Sequence, residues 1–127
     1  YLEKHGFPKN TSDLNKHSFI SVGRGAPSPV YNPDWALKLG TKDNKKRKTV
    51  MKVNSVYGLL LAVQSGVGLA ALPDYITVNQ PNIVKVLPNI EGPITEAHFV
   101  YPQSMKNVAR VQAFRNFLYS KISEWEF

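Results

Sequence analysis

The sequence predicts an α/β domain, in which helices alternate with short buried strands. Three observations support this class. The central stretch Val53–Tyr75 joins an apolar run, a glycine turn and a second apolar run. Short segments with strand patterns lie before and after it, and an apolar stripe with helical spacing runs through residues 107–125. A buried helix that leads through a glycine into a buried strand is typical of a crossover unit.

The central stretch, VNSVYGLLLAVQSGVGLAALPDY, predicts a buried helix followed by a buried strand. Asn54 and Ser55 are good N-cap residues, and the run after them is apolar on all sides, as in a core helix. That run is too short to span a bilayer, which needs about 20 apolar residues. Gly66 suits a helix end, residues 67–72 suit a strand, and the following Pro-Asp pair predicts a short helix.

Before the central stretch, residues 18–22 (SFISV) and 49–53 (TVMKV) predict strands. Residues 34–40 (DWALKLG) alternate a tryptophan and two leucines with other residues, which predicts a half-buried strand. Since antiparallel neighbours need only a short link, we expect 34–40 and 49–53 to form a hairpin across the Lys-rich tip.

After the central stretch, residues 83–87 (IVKVL) and 95–101 (TEAHFVY) predict two more strands. The last element is predicted to be a helix over residues 107–125. Its apolar residues recur at intervals of three and four, which places them on one face. These residues are Val108, Val111, Phe114, Leu118, Ile122 and Trp125.

The composition fits one domain or a piece of one, with 127 residues and 43% hydrophobic content to build a core. The absence of cysteine excludes disulfides and thiolate metal sites, and fits a reducing compartment such as the cytoplasm. No signal peptide precedes Tyr1 and no initiator Met is present, so we expect a cut end there. The net charge of +7 permits affinity for nucleic acid, acidic lipid or small anions.

Much of the positive charge lies in residues 42–48, which carry the cations Lys42, Lys45, Lys46, Arg47 and Lys48. Such a cluster is either a phosphate-binding patch or a solvated loop tip. A basic run alone is a weak motif, so we favour the loop tip.

The sequence offers no catalytic or metal-binding pattern. Residues 66–71 match G-x-G-x-x-A, but a dinucleotide fingerprint follows a strand and opens a helix, whereas here the order is reversed. His5, His17 and His98 lack metal-ligand spacing, and no nucleophile elbow, H-E-x-x-H or P-loop is found. We therefore expect no cofactor, no metal and no enzymatic activity.

Four segments resemble the effector-binding domain of LysR-type transcriptional regulators. They are YLEKHGFPKNTSDLNKHSFI, VNSVYGLLLAVQSGVGLAALPDYI, IVKVLPNIEGPITEAHFVYP and VARVQAFRNFLYSKISEW. The likeness covers nearly all of the chain and keeps the order of the segments. It implies the fold of type 2 periplasmic binding proteins, with two α/β subdomains and the ligand between them.

The resemblance also implies a division of the chain. Residues 1–94 would hold most of subdomain II, and residues 95–127 the return strand and last helix of subdomain I. The DNA-binding head, the linker helix and the first half of subdomain I would be absent. The implied partners are a small-molecule effector, further copies of the chain in a homo-oligomer, and DNA only through the missing head. No membrane is implied.

The family binds its effector where strand ends and helix N-termini of the two subdomains face each other. The matching positions here are Ser21, Val22, Gly23, Arg24, Asn54 and Ser55. Ligands of open α/β sheets lie beyond the carboxyl ends of strands, and a helix N-terminus suits an anion. Arg24 could add a bidentate contact. Alternatively, Asn54 and Ser55 only cap the helix and Arg24 is solvated.

The resemblance therefore predicts a regulatory module that binds a small, anionic metabolite and transmits closure of its subdomains to a DNA-binding head. Two alternatives stay open: a periplasmic solute-binding protein of the same fold, and a small basic nucleic-acid-binding domain that uses residues 42–48. In the family the last helix packs on strands that this chain lacks. Its apolar stripe therefore predicts self-association, or docking on the body of its own or a neighbouring chain.

Overall fold

The computed structural model describes residues 1–23 and 34–124. The chain divides into two compact units, Tyr1–Thr95 and Glu96–Phe127. The helices and strands, in chain order, are α1 (Leu2–His5), β1 (Phe19–Val22), α2 (Trp35–Lys38), β2 (Thr49–Val53), α3 (Val56–Gln64), α4 (Asp74–Thr77) and α5 (Ala109–Ser123). This mixture of helices and strands confirms the predicted α/β class.

Strand β1 lies at the centre of the first unit, with parallel partners on both sides. On one side it pairs with β2, so that Val22 lies opposite Val53. On the other side it meets Leu69 in a single parallel bridge, where the Leu69 N–H donates to the Ser18 carbonyl at 2.9 Å. Parallel neighbours require a crossover connection, and α3 lies in the connection between β2 and Leu69.

Helix α3 begins and ends as predicted. The Ser55 hydroxyl accepts a hydrogen bond from the Gly58 N–H at 3.0 Å, which caps the first turn. Gly66 follows the helix with φ of 73°, a left-handed conformation that glycine adopts without steric cost. One side of α3 contributes Leu59 and Ala62 to a buried cluster that also contains Ile20 of β1. The helix thus covers one face of the sheet.

The opposite face of the sheet is covered by a second buried cluster. It consists of Leu14, Phe19 and Leu37, with half-buried apolar neighbours that include Leu69 and Leu87. Successive residues of a strand point to opposite faces, which explains why Phe19 and its neighbour Ile20 belong to different clusters. The short apolar sequence of β1 is therefore buried from both sides.

The predicted strand over residues 34–40 is wrong, because Trp35–Lys38 forms one turn of helix. The predicted hairpin is also wrong, since β2 pairs in parallel with β1 instead. Carbonyl groups in and directly after this turn accept hydrogen bonds from a later segment of the chain. The Leu37 carbonyl accepts the backbone N–H of Arg47 at 2.9 Å, and the Leu39 carbonyl accepts the Arg47 guanidinium at 2.8 Å.

Two further strands predicted from the sequence do not form among the described residues. Residues 83–87 and 95–101 contain no strand pairing. The first segment ends in a turn instead, in which Leu87 has a positive φ of 52° and its carbonyl accepts the Ile90 N–H at 2.9 Å. The predicted strand 67–72 is reduced to the single bridge at Leu69.

The second unit contains α5, and no residue of this helix is buried within the chain. Phe99 contacts Phe114 with a ring separation of 5.6 Å, which attaches the preceding extended segment to the helix. Phe114 and Phe117 nevertheless remain 52% and 55% exposed. Trp125, the predicted end of the apolar stripe, lies outside the described residues. Nowhere in residues 1–23 and 34–124 does a helix have the length and apolar character needed to cross a membrane.

Candidate functional site

The carboxyl ends of β1 and β2 lie side by side. The Gly23 N–H donates to the Val53 carbonyl at 2.7 Å, which extends the parallel pairing one residue beyond β1. Ser21, Val22 and Gly23 therefore lie next to the chain that leads through Asn54 and Ser55 into α3. The structure thus brings together five of the six predicted site residues, and the sixth, Arg24, lies outside the described residues.

Some polar groups at these strand ends are already used within the chain. The Gly23 N–H is bonded to Val53, and the Ser55 hydroxyl accepts the Gly58 N–H. The capping role that the sequence suggested for Ser55 is therefore confirmed, while Asn54 makes no such cap bond. Both side chains are exposed. The first-turn N–H groups of a helix lack intrahelical partners, so the start of α3 offers donors to a ligand at this edge.

Ser21 differs from the other site residues because it is buried, with 4% of its surface exposed. Its hydroxyl donates to Oδ1 of Asp34, and Oδ2 of Asp34 accepts a hydrogen bond from the Lys46 ammonium at 2.7 Å. We call these three residues the Ser21–Asp34–Lys46 cluster. The sequence does not reveal Asp34 and Lys46 as site residues, because its local patterns place Asp34 in a strand and Lys46 at a loop tip.

The cluster holds Asp34 in its charged form. Burial raises the pKa of this carboxyl group. Hydrogen bonds from Lys46 and Ser21, together with the positive charges of Lys46 and Lys52, lower the pKa by more than burial raises it. The net effect keeps the pKa of Asp34 below its ordinary value of 3.8. Lys52 lies opposite Ser21 in the strand register, so it belongs to the same end of the sheet.

The lowered pKa of Asp34 makes its stabilising effect dependent on pH. Because the folded pKa lies below the unfolded one, the ionised carboxylate stabilises the fold fully above pH 3.8 and loses this effect as pH falls through the lower folded value. Asp34→Asn is expected to lower the free energy of unfolding by about 1 kcal/mol at neutral pH. Urea unfolding at several pH values should show this difference vanishing in acid, and a pH-independent difference would contradict the assignment.

The basic segment 42–48 is not a uniform cationic surface. Lys46 pairs with Asp34, and Arg47 turns inward, where its guanidinium donates to the carbonyl oxygens of Thr11 and Leu39. Lys42, Lys45 and Lys48 remain exposed. Two of the five cations thus serve internal contacts, which disfavours the nucleic-acid alternative based on this segment.

A separate open groove lies in the same unit, away from the strand ends. It has a volume of about 590 Å³ and is lined by residues 8–11 and 87–90. None of Ser21, Val22, Gly23, Asn54 and Ser55, the predicted site residues that the structure describes, lines it. Its lining is mostly apolar, with Lys9, Asn10, Thr11 and Asn89 supplying the polar groups.

Within residues 1–23 and 34–124, no group of His, Cys, Asp or Glu side chains could hold a metal ion. His17 faces the Tyr1 hydroxyl at 3.3 Å, and burial, followed by the charge of His5, lowers its pKa. His98 lies 3.4 Å from Glu96, with both side chains largely in solvent. The histidines are therefore separate from the strand-end site.

Comparison with known proteins shows the family to which the chain belongs and a relative of the chain. The family model described as the LysR substrate binding domain matches residues 2–122. A protein of Haemophilus influenzae named an uncharacterized HTH-type transcriptional regulator is 30% identical over 106 residues. The match covers 80% of this chain but 35% of the relative, so the chain spans about a third of that protein's length. No solved structure gives a significant match.

Proposed function

Because the chain belongs to the LysR substrate-binding domain family, we propose that it is the effector-binding module of a LysR-type transcriptional regulator. The observation that carries this proposal is the parallel pairing of β1 with β2, which sets Ser21–Gly23 beside Asn54, Ser55 and the start of α3. Ligands of open α/β sheets bind at such carboxyl ends. The family is one of transcriptional regulator domains rather than enzymes.

The effector is a small anionic metabolite in this proposal. Two features favour negative charge at the strand ends: the N–H groups at the start of α3, and the two lysines Lys46 and Lys52 that accompany the single carboxylate of Asp34. Closure of two subdomains around the effector would then shift the regulator between states. The shift is limited to the difference between the effector's affinities for the closed and open forms.

The intact regulator has further parts in this proposal. Residues 1–94 are most of subdomain II, and residues 95–127 are the return strand and last helix of subdomain I. DNA is contacted only through an N-terminal head outside this chain, in keeping with the HTH-type name of the relative. The whole acts in the cytoplasm, as a homo-oligomer.

The proposal is tested by mapping ligand binding on isotope-labelled chain. Small organic acids and neutral metabolites are screened by amide NMR spectra, and a true effector should shift the signals of Ser21, Gly23, Asn54 and Ser55. The complete gene product should then change its DNA affinity when the same compound is added. A ligand that shifts only residues around the groove at 8–11 and 87–90 would contradict the placement, and DNA affinity that never responds would contradict the function.

Self-association through α5 is a separate expectation. Its exposed apolar side chains include Phe117 and Ile122, which are 55% and 47% exposed, and such surface is favourable to bury. The wild-type chain should therefore elute as an oligomer in size-exclusion chromatography with light scattering, and Ile122→Glu should shift it towards monomer. Asn116→Glu is the control, since Asn116 is exposed and lies on the side of the helix opposite the apolar stripe, and it should leave the oligomer in place. A monomeric wild type with a solvated α5 would oppose this expectation.

A further inference from the structure

The Ser21–Asp34–Lys46 cluster has the arrangement by which proteins bind a carboxylate. One oxygen of Asp34 accepts the Ser21 hydroxyl, and the other accepts the Lys46 ammonium at 2.7 Å. Each oxygen therefore has its own donor, one neutral and one charged, and charge-assisted hydrogen bonds of this kind are among the strong ones. Here the carboxylate is part of the chain itself.

The cluster lies at the strand ends where the effector is proposed to bind. Ser21 is the second-to-last residue of β1, one residue before the strand end, and Lys52 lies opposite it in the register. Lys46 keeps 53% of its side-chain surface exposed, and the carboxylate side chain of Asp34 keeps 26%. An incoming anion can therefore reach the ammonium group from solvent, although the hydroxyl of Ser21 lies beneath Asp34.

The charges at this end of the sheet do not cancel. Asp34 carries one negative charge, while Lys46 and Lys52 both act on it with positive charge. The cluster itself is neutral, but Lys52 beside it leaves one positive charge in excess, which permits a second anion to approach. The only negative group that the structure places against Lys46, within the described residues, is Asp34 itself.

We propose that Asp34 is a built-in competitor of the effector, and that a carboxylate of the effector displaces it from Ser21 and Lys46. This inference rests on the proposed function, because it assigns the substrate class and the regulation of the same strand-end site. The effector can bind only those molecules in which Asp34 has left Ser21 and Lys46, so its apparent affinity is the intrinsic affinity multiplied by the fraction of such molecules. Asp34 thereby weakens effector binding and restricts the response to high concentrations of a carboxylic acid.

Asp34→Asn tests the competition directly, with succinate as the probe at constant ionic strength. The substitution keeps the shape of the side chain and removes the charge that holds Lys46. Succinate should bind the variant about tenfold more tightly than the wild type, as expected if Asp34 occupies the donors about nine-tenths of the time. Binding is followed by the amide signals of Ser21 and Gly23 in NMR titrations of the full 127-residue chain.

Asp43→Asn is the matched control, since it removes one negative charge from the same basic segment without touching the cluster. Asp43 has a positive φ of 54° that asparagine also tolerates. The control should bind succinate as the wild type does. An equal gain in succinate affinity in the two variants would mean that only the net charge matters, and would overturn the proposal. Unchanged or weaker binding of succinate by Asp34→Asn would also overturn it.

A second pair of variants keeps the proposal testable if Asp34→Asn does not fold. Lys46→Met removes one donor of the cluster, and Lys45→Met removes its exposed neighbour. Lys46→Met should weaken succinate binding at least about tenfold, the loss of one charge-assisted bond, whereas Lys45→Met should change it little. Equal affinities would overturn the proposal.

The outcomes also separate this inference from the proposed function. Succinate that shifts Ser21 and Gly23 equally in wild type and Asp34→Asn leaves the effector site standing and removes the competition. An effector that binds at Asn54 and Ser55 without disturbing Ser21 or Lys46 would likewise support the effector site and contradict the competition. Ligand shifts confined to another part of the chain in both proteins would remove the site together with the inference.

Discussion

Replacing Arg47 by methionine is expected to lower the free energy of unfolding by about 3 kcal/mol. The guanidinium donates to the carbonyl oxygens of Thr11 at 3.1 Å and Leu39 at 2.8 Å, and to the Asn15 amide oxygen at 2.8 Å. It also lies 5.7 Å from the centre of the buried Phe19 ring. Methionine fills similar space but leaves these carbonyls without a donor, and half-buried unpaired polar groups are costly.

Urea unfolding followed by tryptophan fluorescence measures this loss. Lys48→Met is the matched control, since Lys48 is an exposed cation one position away, and its effect should stay within about 0.5 kcal/mol. Arg47→Lys should recover less than half of the loss. The single nitrogen of an ammonium group cannot contact all three oxygens, whereas the guanidinium contacts each of them through a different nitrogen. Equal stabilities of Arg47→Met and Lys48→Met would mean that Arg47 is solvated like its neighbours.

Gly68→Ala is expected to destabilise the first unit by about 2–3 kcal/mol. A Cβ at this position would collide with the backbone carbonyl of Ser18, at the point where the Leu69 N–H donates to the same group. Since the obstacle is backbone rather than a mobile side chain, relief requires moving Leu69 away from β1. The substitution therefore disrupts the bridge to Leu69, which is one of the two parallel pairings of β1.

Gly23→Ala is the control for the glycine substitution. A Cβ there would lie 3.6 Å from the Val53 carbonyl, an ordinary contact, so the stability should change by less than about 1 kcal/mol. Thermal unfolding of the two variants side by side distinguishes steric conflict from the general effect of removing a glycine. Wild-type stability of Gly68→Ala would rule out the close approach of Gly68 to Ser18.

Local signals in the sequence were sufficient for the elements that are stabilised locally. The N-cap at Ser55, the apolar run and the glycine at position 66 all agree with α3 as it is found. The strands β1 and β2 also lie where their alternating or β-branched residues predicted them. The placement of Ser21–Gly23 beside Asn54 and Ser55 comes instead from the family resemblance, because the local patterns alone predict β2 in a hairpin and not beside β1.

The errors occur where a distant residue decides the structure. The alternation of Trp35, Leu37 and Leu39 suits a strand, yet the carbonyls here bond to Arg47, about ten residues further on. The Ser21–Asp34–Lys46 cluster was not predicted for the same reason, since its members belong to three separate segments. The residue patterns of 83–87 and 95–101 likewise suit strands, but a strand also needs a partner, and the described residues supply none.

The central place of β1 has a consequence for how the polypeptide acquires its structure. Its partners Thr49 and Leu69 are about 30 and 50 residues further along the chain. An apolar strand made early during synthesis must therefore wait until both have left the ribosome before it can be buried. Such non-local pairing slows folding, so the nascent chain is expected to pass through an interval in which this strand is open to chaperones or to aggregation.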